Sequence, residues 1–190
     1  RLSQGMPGFS FATGQAPGLE DTAYFKPPQA SYCSETHVVE AEVNPMTGAV
    51  RFLNYVVAHD SGNIISPLIV DGQIQGGAAH GIGNALLEWM KYDENAQPLT
   101  TTFADHFLPM ATDVPTCKIA HIESPSPLNP LGVKGAGEGG TIPGAAAIIA
   151  AIEDALSEFS VYFAETPLVP ERIVGALRAA GAYEKLGGLK

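Results

Sequence analysis

The chain has 190 residues, 45% of them hydrophobic and 16% charged, so it can bury a sizeable core and is not a disordered chain. Twenty acidic residues against ten basic ones give a net charge of −10, and the basic residues form no run. Neutralising phosphates needs clustered cations, which argues against nucleic acid and against anionic membrane surfaces as partners.

At the N-terminus, Arg1 opens directly into a polar, Gly-rich segment with neither an initiating Met nor a charged-then-apolar secretory pattern. This reads as a piece of something longer, or one subunit of a split protein. Residues 1–34 carry Gly5, Pro7, Gly8, Gly14, Pro17, Gly18, Pro27 and Pro28 without a sustained period, which predicts an extended arm. His37–Val43 alternates apolar and polar side chains, Asn44-Pro45-Met46-Thr47-Gly48 is a turn sequence, and Ala49–His59 is β-branched and aromatic. Together they predict a β-hairpin. Adjacent strand residues point to opposite faces, so His59-Asp60 is read as structural rather than as an acid–base pair.

Ser66-Pro67 predicts a helix start, with Ser as cap and Pro in the first turn, and the helix should run to about Met90. It contains Gly72, Gly76, Gly77, Gly81 and Gly83. An interior glycine costs roughly 0.5–1 kcal/mol relative to Ala, so this helix needs another backbone or a ligand very close to its small face. His80 lies about two turns after Gln73 and should face the same way, as a packed residue.

Residues 97–110 combine strand-forming Thr and Phe with a turn at Gln97-Pro98, and Lys118–Glu123 reads as a short strand. Residues 124–140 are rich in Pro, then in Gly, and carry no period; a loop this long inside a domain is usually functional. Thr141 should cap a second helix through Ala145–Leu156, apolar nearly all round and hence buried. Pro170–Ala182 is a last short amphipathic helix. No run approaches the roughly eighteen apolar residues of a membrane span. Cys33 and Cys117 cannot build a disulfide framework or a CxxC metal site, and with His37, His106 and His121 they receive no role; reducing cytoplasm is the expected compartment.

Chemistry concentrates in Gly132-Val133-Lys134-Gly135-Ala136-Gly137-Glu138-Gly139-Gly140, a single carboxylate between glycines ahead of a helix. Backbone without side chains approaches a ligand closely, and a helix start near residue 141 would supply unpaired N–H donors. Gly135-x-Gly137-x-x-Gly140 matches a dinucleotide fingerprint, but Pro-rich sequence precedes it where a strand should, and Glu138 would repel a phosphate. No Gly-Lys-Ser/Thr exists for a Walker loop. Asn129 should satisfy backbone groups of the Pro-rich loop, and Glu153-Asp154 should face solvent or cap a neighbour.

The string Ser66–Gly77, containing Asp71-Gly72-Gln73-Ile74-Gln75-Gly76-Gly77, followed by Ser124–Gly144, resembles the C-terminal part of the large subunit of molybdenum hydroxylases. These form the xanthine oxidase, aldehyde oxidoreductase and aerobic carbon monoxide dehydrogenase family. The hairpin Glu35–Asp60 and the Thr166-Pro167 to Ala179 tail fit the same region, so the resemblance covers nearly the whole chain. It implies an α+β domain with a mixed sheet, a β-hairpin and two long buried helices. Residues 35–190 would form the cofactor-binding domain, with 1–34 an arm packing on the rest of the large subunit.

The resemblance further implies that Glu138 is the active-site base beside molybdenum. Gln73, Lys134, Gly135, Ala136 and Gly137 would line a molybdopterin cofactor, expected as the cytosine dinucleotide form. No protein side chain would ligate the metal. A substrate carbon would be oxidised with oxygen derived from water, with Glu138 accepting a proton inside a dry pocket that raises its pKa. Electrons would pass to a 2Fe–2S cluster and FAD on partner chains or domains, since two cysteines cannot hold such a cluster. Expected partners are thus the remainder of the large subunit, an iron–sulfur subunit, a FAD subunit and a small-molecule substrate. Two other readings stay open: a catalytically silent assembly subunit, and a nucleotide-binding enzyme using the Gly-rich loop.

Overall fold

A computed structural model describes residues 22–187. Most of the expected arm, residues 1–21, lies outside the described residues. Three strands, β1 (Ser34–Val43), β2 (Val50–Asp60) and β3 (Lys118–His121), form one mixed sheet in that order. β1 and β2 are antiparallel, and β3 runs parallel to β2. The hairpin folds as its sequence demands. Asn44 Oδ1 accepts the Met46 and Thr47 N–H groups at 2.9 and 3.2 Å, and Gly48 takes a left-handed conformation with φ 70°. Glu35, His37 and Val39 stand opposite His59, Val57 and Tyr55, with a register shift between Glu40 and Ala41.

Helices α1 (Pro67–Leu86) and α2 (Gly144–Ala155) carry the packing; α3 (Pro170–Ala179) and α4 (Ala182–Lys185) close the chain. α2 lies against β1, and α1 lies against α2. Tyr55 and Val57 of the sheet meet Ile74 and Ile82 of α1 and Ile148 and Ile152 of α2 in a fully buried core. The glycines of α1 explain themselves here. A β-carbon on Gly77 would sit 2.7 Å from Gly140 Cα, and one on Gly81 would sit 3.0 Å from Gly144 Cα. The helix is notched so that another stretch of backbone can lie in it.

The structure corrects three expectations and settles one mixed segment. α1 stops at Leu86 rather than near Met90, because the Leu87 and Glu88 N–H groups both turn back to Gly83 O. Residues 97–110, which mix strand-forming Thr and Phe with a turn sequence, contain no strand: the Thr102 hydroxyl bonds Asp105 and the Ala104 N–H, drawing the backbone away from a ladder. Thr141 does not cap α2. Its hydroxyl donates to Gly77 O at 3.3 Å, and the helix begins three residues later. Nor are the helices buried all round: Ala146 and Ala150 of α2 and Leu68 and Ile69 of α1 are exposed.

Candidate functional site: a clamped glycine arch

The Gly-rich segment is held at both ends. Upstream, Asn129 closes its own turn through Nδ2 to Val133 O (2.8 Å) and Oδ1 from Val133 N–H (3.1 Å), the backbone role its sequence suggested. Lys134 N–H donates to Ser61 O and Gly135 N–H to Ser31 O, both at 2.8 Å. Downstream, Gly139 lies on β1, where a β-carbon would overlap the Glu35 carboxylate, and Gly140 lies in the Gly77 notch of α1. Between the clamps stands a three-residue arch, Ala136-Gly137-Glu138.

Gln73 stands beside this arch: its Nε2 would be 3.7 Å from a β-carbon on Gly137. Gln73 is exposed, and a β-carbon on Gly72 or Gly76 of the same helix would meet nothing within 4 Å. His80 is exposed as well, not packed. The Glu138 side chain is exposed, so the dry pocket expected around it is not formed by the described residues. Its carbonyl accepts the Thr141 and Ile142 N–H groups at 3.1 and 3.2 Å. The donors expected to point at a ligand near residue 141 are therefore engaged within a turn. No strand leads directly into Gly135, which departs from the dinucleotide fingerprint.

Lys134 turns its ammonium to Asp60, at 2.9 Å and with both side chains largely buried. Burial alone would raise the Asp60 carboxyl; the Gly62 N–H, the Lys134 ammonium and the Ser124 N–H outweigh it and hold it below the usual carboxylate range. Asp60 is thus structural, as the strand period implied. Next to the arch, an open apolar groove of about 630 Å³ runs between Phe25–Ser31 and Leu128–Gly135.

A cluster that reading the sequence missed lies beneath the arch. The Glu35 carboxylate pairs with His59 Nδ1 on one oxygen and His37 Nε2 (3.2 Å) on the other, all three side chains being at most 3% exposed. His37 Nδ1 continues to the Tyr55 hydroxyl at 3.0 Å, and Cys33 stands alongside. Burial pushes the Cys33 thiol up, with the Glu35 charge adding to it, and pushes His37 down against the pull of Glu35. Burial likewise raises the Tyr55 phenol. Cys33, Glu35 and His59 form the one group of three metal-ligand types found among the described residues, their donor atoms within 4.8 Å of one another. The signal for it was the hairpin register, which sets Glu35 against His59. His121, also given no role, bonds Asp71 of α1 at 2.7 Å.

A side-chain-poor arch that presents one carboxylate beside a helical amide, on a clamped backbone, lets another molecule come close to the main chain. The chain belongs to the molybdopterin cofactor-binding domain family, whose model matches residues 7–115 and so takes in the hairpin, α1 and Gln73. It is 39% identical to the nicotine 6-hydroxylase large subunit of Paenarthrobacter nicotinovorans over 87% of this chain and 20% of that protein. It is 30% identical to the carbon monoxide dehydrogenase large chain of Hydrogenophaga pseudoflava over the same shares. Among solved structures it resembles quinoline 2-oxidoreductase from Pseudomonas putida 86 (TM-score 0.71, 43% identity, 73% of this chain and 18% of that one). It also resembles the Cu,Mo-CO dehydrogenase (TM-score 0.83, 27% identity, 95% and 22%). The expected kinship with molybdenum hydroxylase large subunits and the α+β fold both hold. The chain spans about a fifth of the length of these relatives. No helix among the described residues is long and apolar enough to cross a membrane.

Proposed function

We propose that this chain supplies one wall of the active site of a molybdenum hydroxylase, with Glu138 as general base. The observation that carries the reading is the arch. Glu138 is the one ionisable side chain on it, exposed and flanked by Gly137 and Gly139, and Gln73 reaches it from α1. The residues fit a bulky pterin: Gly72 and Gly76 border open space, Gly137 meets only Gln73, and the Gln73 amide offers a donor and an acceptor for its edge. When bound, the molybdenum cofactor would supply two-electron oxidation of a substrate carbon with oxygen drawn from water. Gly135, Ala136 and Gly137 would line it through their backbone. Lys134 would contribute through the ion pair with Asp60 that locks the arch at its root. Glu138 would take a proton at its carboxylate oxygen, and closure of the pocket by the rest of the large subunit would exclude water from it.

The reading includes the cytosine dinucleotide form of the pterin, iron–sulfur and FAD partners, residues 1–34 as an arm on the large subunit, and a cytoplasmic location. Nicotine 6-hydroxylase and quinoline 2-oxidoreductase are named for nitrogen heterocycles, which supports an electron-poor ring carbon as the target. The test is Glu138→Gln in the assembled enzyme. Turnover on N-heteroaromatic probes should fall about 10²–10⁴-fold with molybdenum and pterin content unchanged. Wild-type turnover would overturn the assignment and favour silent completion of the pocket, and an assembled wild-type enzyme that hydroxylates no heterocycle would overturn the substrate class.

A further inference from the structure

We propose that Glu35 is a positioning residue for the Glu138 arch: its carboxylate, gripped by His59 and His37, is the seat on which Gly139 rests. The inference rests on the reading of Glu138 as base. The β1–β2 register places Glu35 opposite His59 and on the same strand face as His37. Each carboxylate oxygen has its own imidazole partner, so the group cannot rotate or withdraw without breaking a buried hydrogen bond. Gly139, next in sequence to Glu138, leaves no space above this carboxylate: an added β-carbon would overlap Glu35 and come within 3.1 Å of Cys33 Sγ.

The same network meets the chain a second time. His37 passes to the Tyr55 hydroxyl, which lies 3.4 Å from where a β-carbon of Gly144 would be. The connection from the arch to α2 therefore meets one polar array at both ends, at Gly139 and at Gly144, while Gly140 and Thr141 between them rest on α1. Cys33, His37, His59 and Tyr55 face Glu35; His121 stands edge-on beyond His59 at 6.2 Å and bonds Asp71 of α1. Lys134, the cation nearest the arch in sequence, is engaged by Asp60, so histidines alone partner the buried charge. Each carboxylate oxygen already has an imidazole partner, so an ion held by Cys33, Glu35 and His59 would have to displace at least one of the contacts that make the seat. A general base displaced by about 1 Å loses up to roughly a hundred-fold in rate while substrate binding is largely kept.

The test compares Glu35→Gln, Gly139→Ala and Glu138→Gln in the assembled enzyme. Glu35→Gln keeps the shape and removes the charge; Gly139→Ala presses on the seat from the arch side and leaves every titratable group in place. Both should lower kcat about ten- to a hundred-fold with KM little changed and molybdenum content at the wild-type level. Both should also speed amide hydrogen exchange at residues 139–142 and leave α3 unaffected. Where Glu35→Gln does not assemble, Gly139→Ala decides. Wild-type kcat and wild-type exchange in these variants, beside an inactive Glu138→Gln, would overturn the seat and keep the base. An active Glu138→Gln would overturn the base, and the exchange at 139–142 would still report on the seat. Stoichiometric zinc held by the chain and lost in Cys33→Ser would also overturn it, since a metal would take the donors that grip Glu35.

Discussion

Asp60 shows how one side chain fastens distant segments. It accepts from Gly62, Ser124 and Lys134, joining the end of β2 to the Pro-rich loop and to the root of the arch. Its folded-state pKa is depressed, so its contribution is fully present above the unfolded carboxylate pKa near 4 and is lost as pH falls through the folded value. Asp60→Asn should therefore destabilise the chain by about 1–3 kcal/mol at pH 7 in urea unfolding, and the difference should close progressively below about pH 4. A deficit that persists unchanged in acid would show that the charge is not what matters. That His59 and Asp60 part to opposite faces was legible from the strand period. The partner of His59 was not, because a cross-strand neighbour follows from register, and the bulge at Glu40/Ala41 shifts the pairing between the turn and Glu35.

At the scale of elements, α1 separates two kinds of glycine that look alike in sequence. Gly76 borders open space, so Gly76→Ala should stabilise the chain by about 0.5–1 kcal/mol through the unfolded state. Gly77 holds the backbone of Gly140, so Gly77→Ala should cost about 1–3 kcal/mol by overpacking. Paired urea titrations check both, and equal effects would contradict the notch. Local signals served well where local forces decide: the Asn-Pro-x-Thr-Gly turn, the Ser-Pro start of α1 and the alternation of β1 all appear where expected, although Ser66 holds the cap position without a side-chain hydrogen bond. They failed at Thr141, whose hydroxyl answers to Gly77 sixty-four residues away, and gave a mixed message at residues 97–110, where side-chain bonds to nearby backbone override strand-forming composition.

For the molecule as a whole, the arch and Gln73 were legible as motifs, while the seat beneath them required three-dimensional pairing. Glu138 stands open, and Leu68, Ile69, Leu131 and Ile142 are exposed apolar side chains, which supports the proposal that the rest of the large subunit covers this surface. Purified alone, the chain should carry no stoichiometric molybdenum by elemental analysis; a fully loaded preparation would contradict a shared pocket. The contacts of Ser31 carry one last consequence. Its carbonyl takes the Gly135 N–H, its hydroxyl donates to Ser126, and its neighbour Tyr32 bridges to Gly135. This stitch ties the polypeptide that enters β1 to a point three residues from the proposed base, so a displacement of Ser31 would strain the root of the arch.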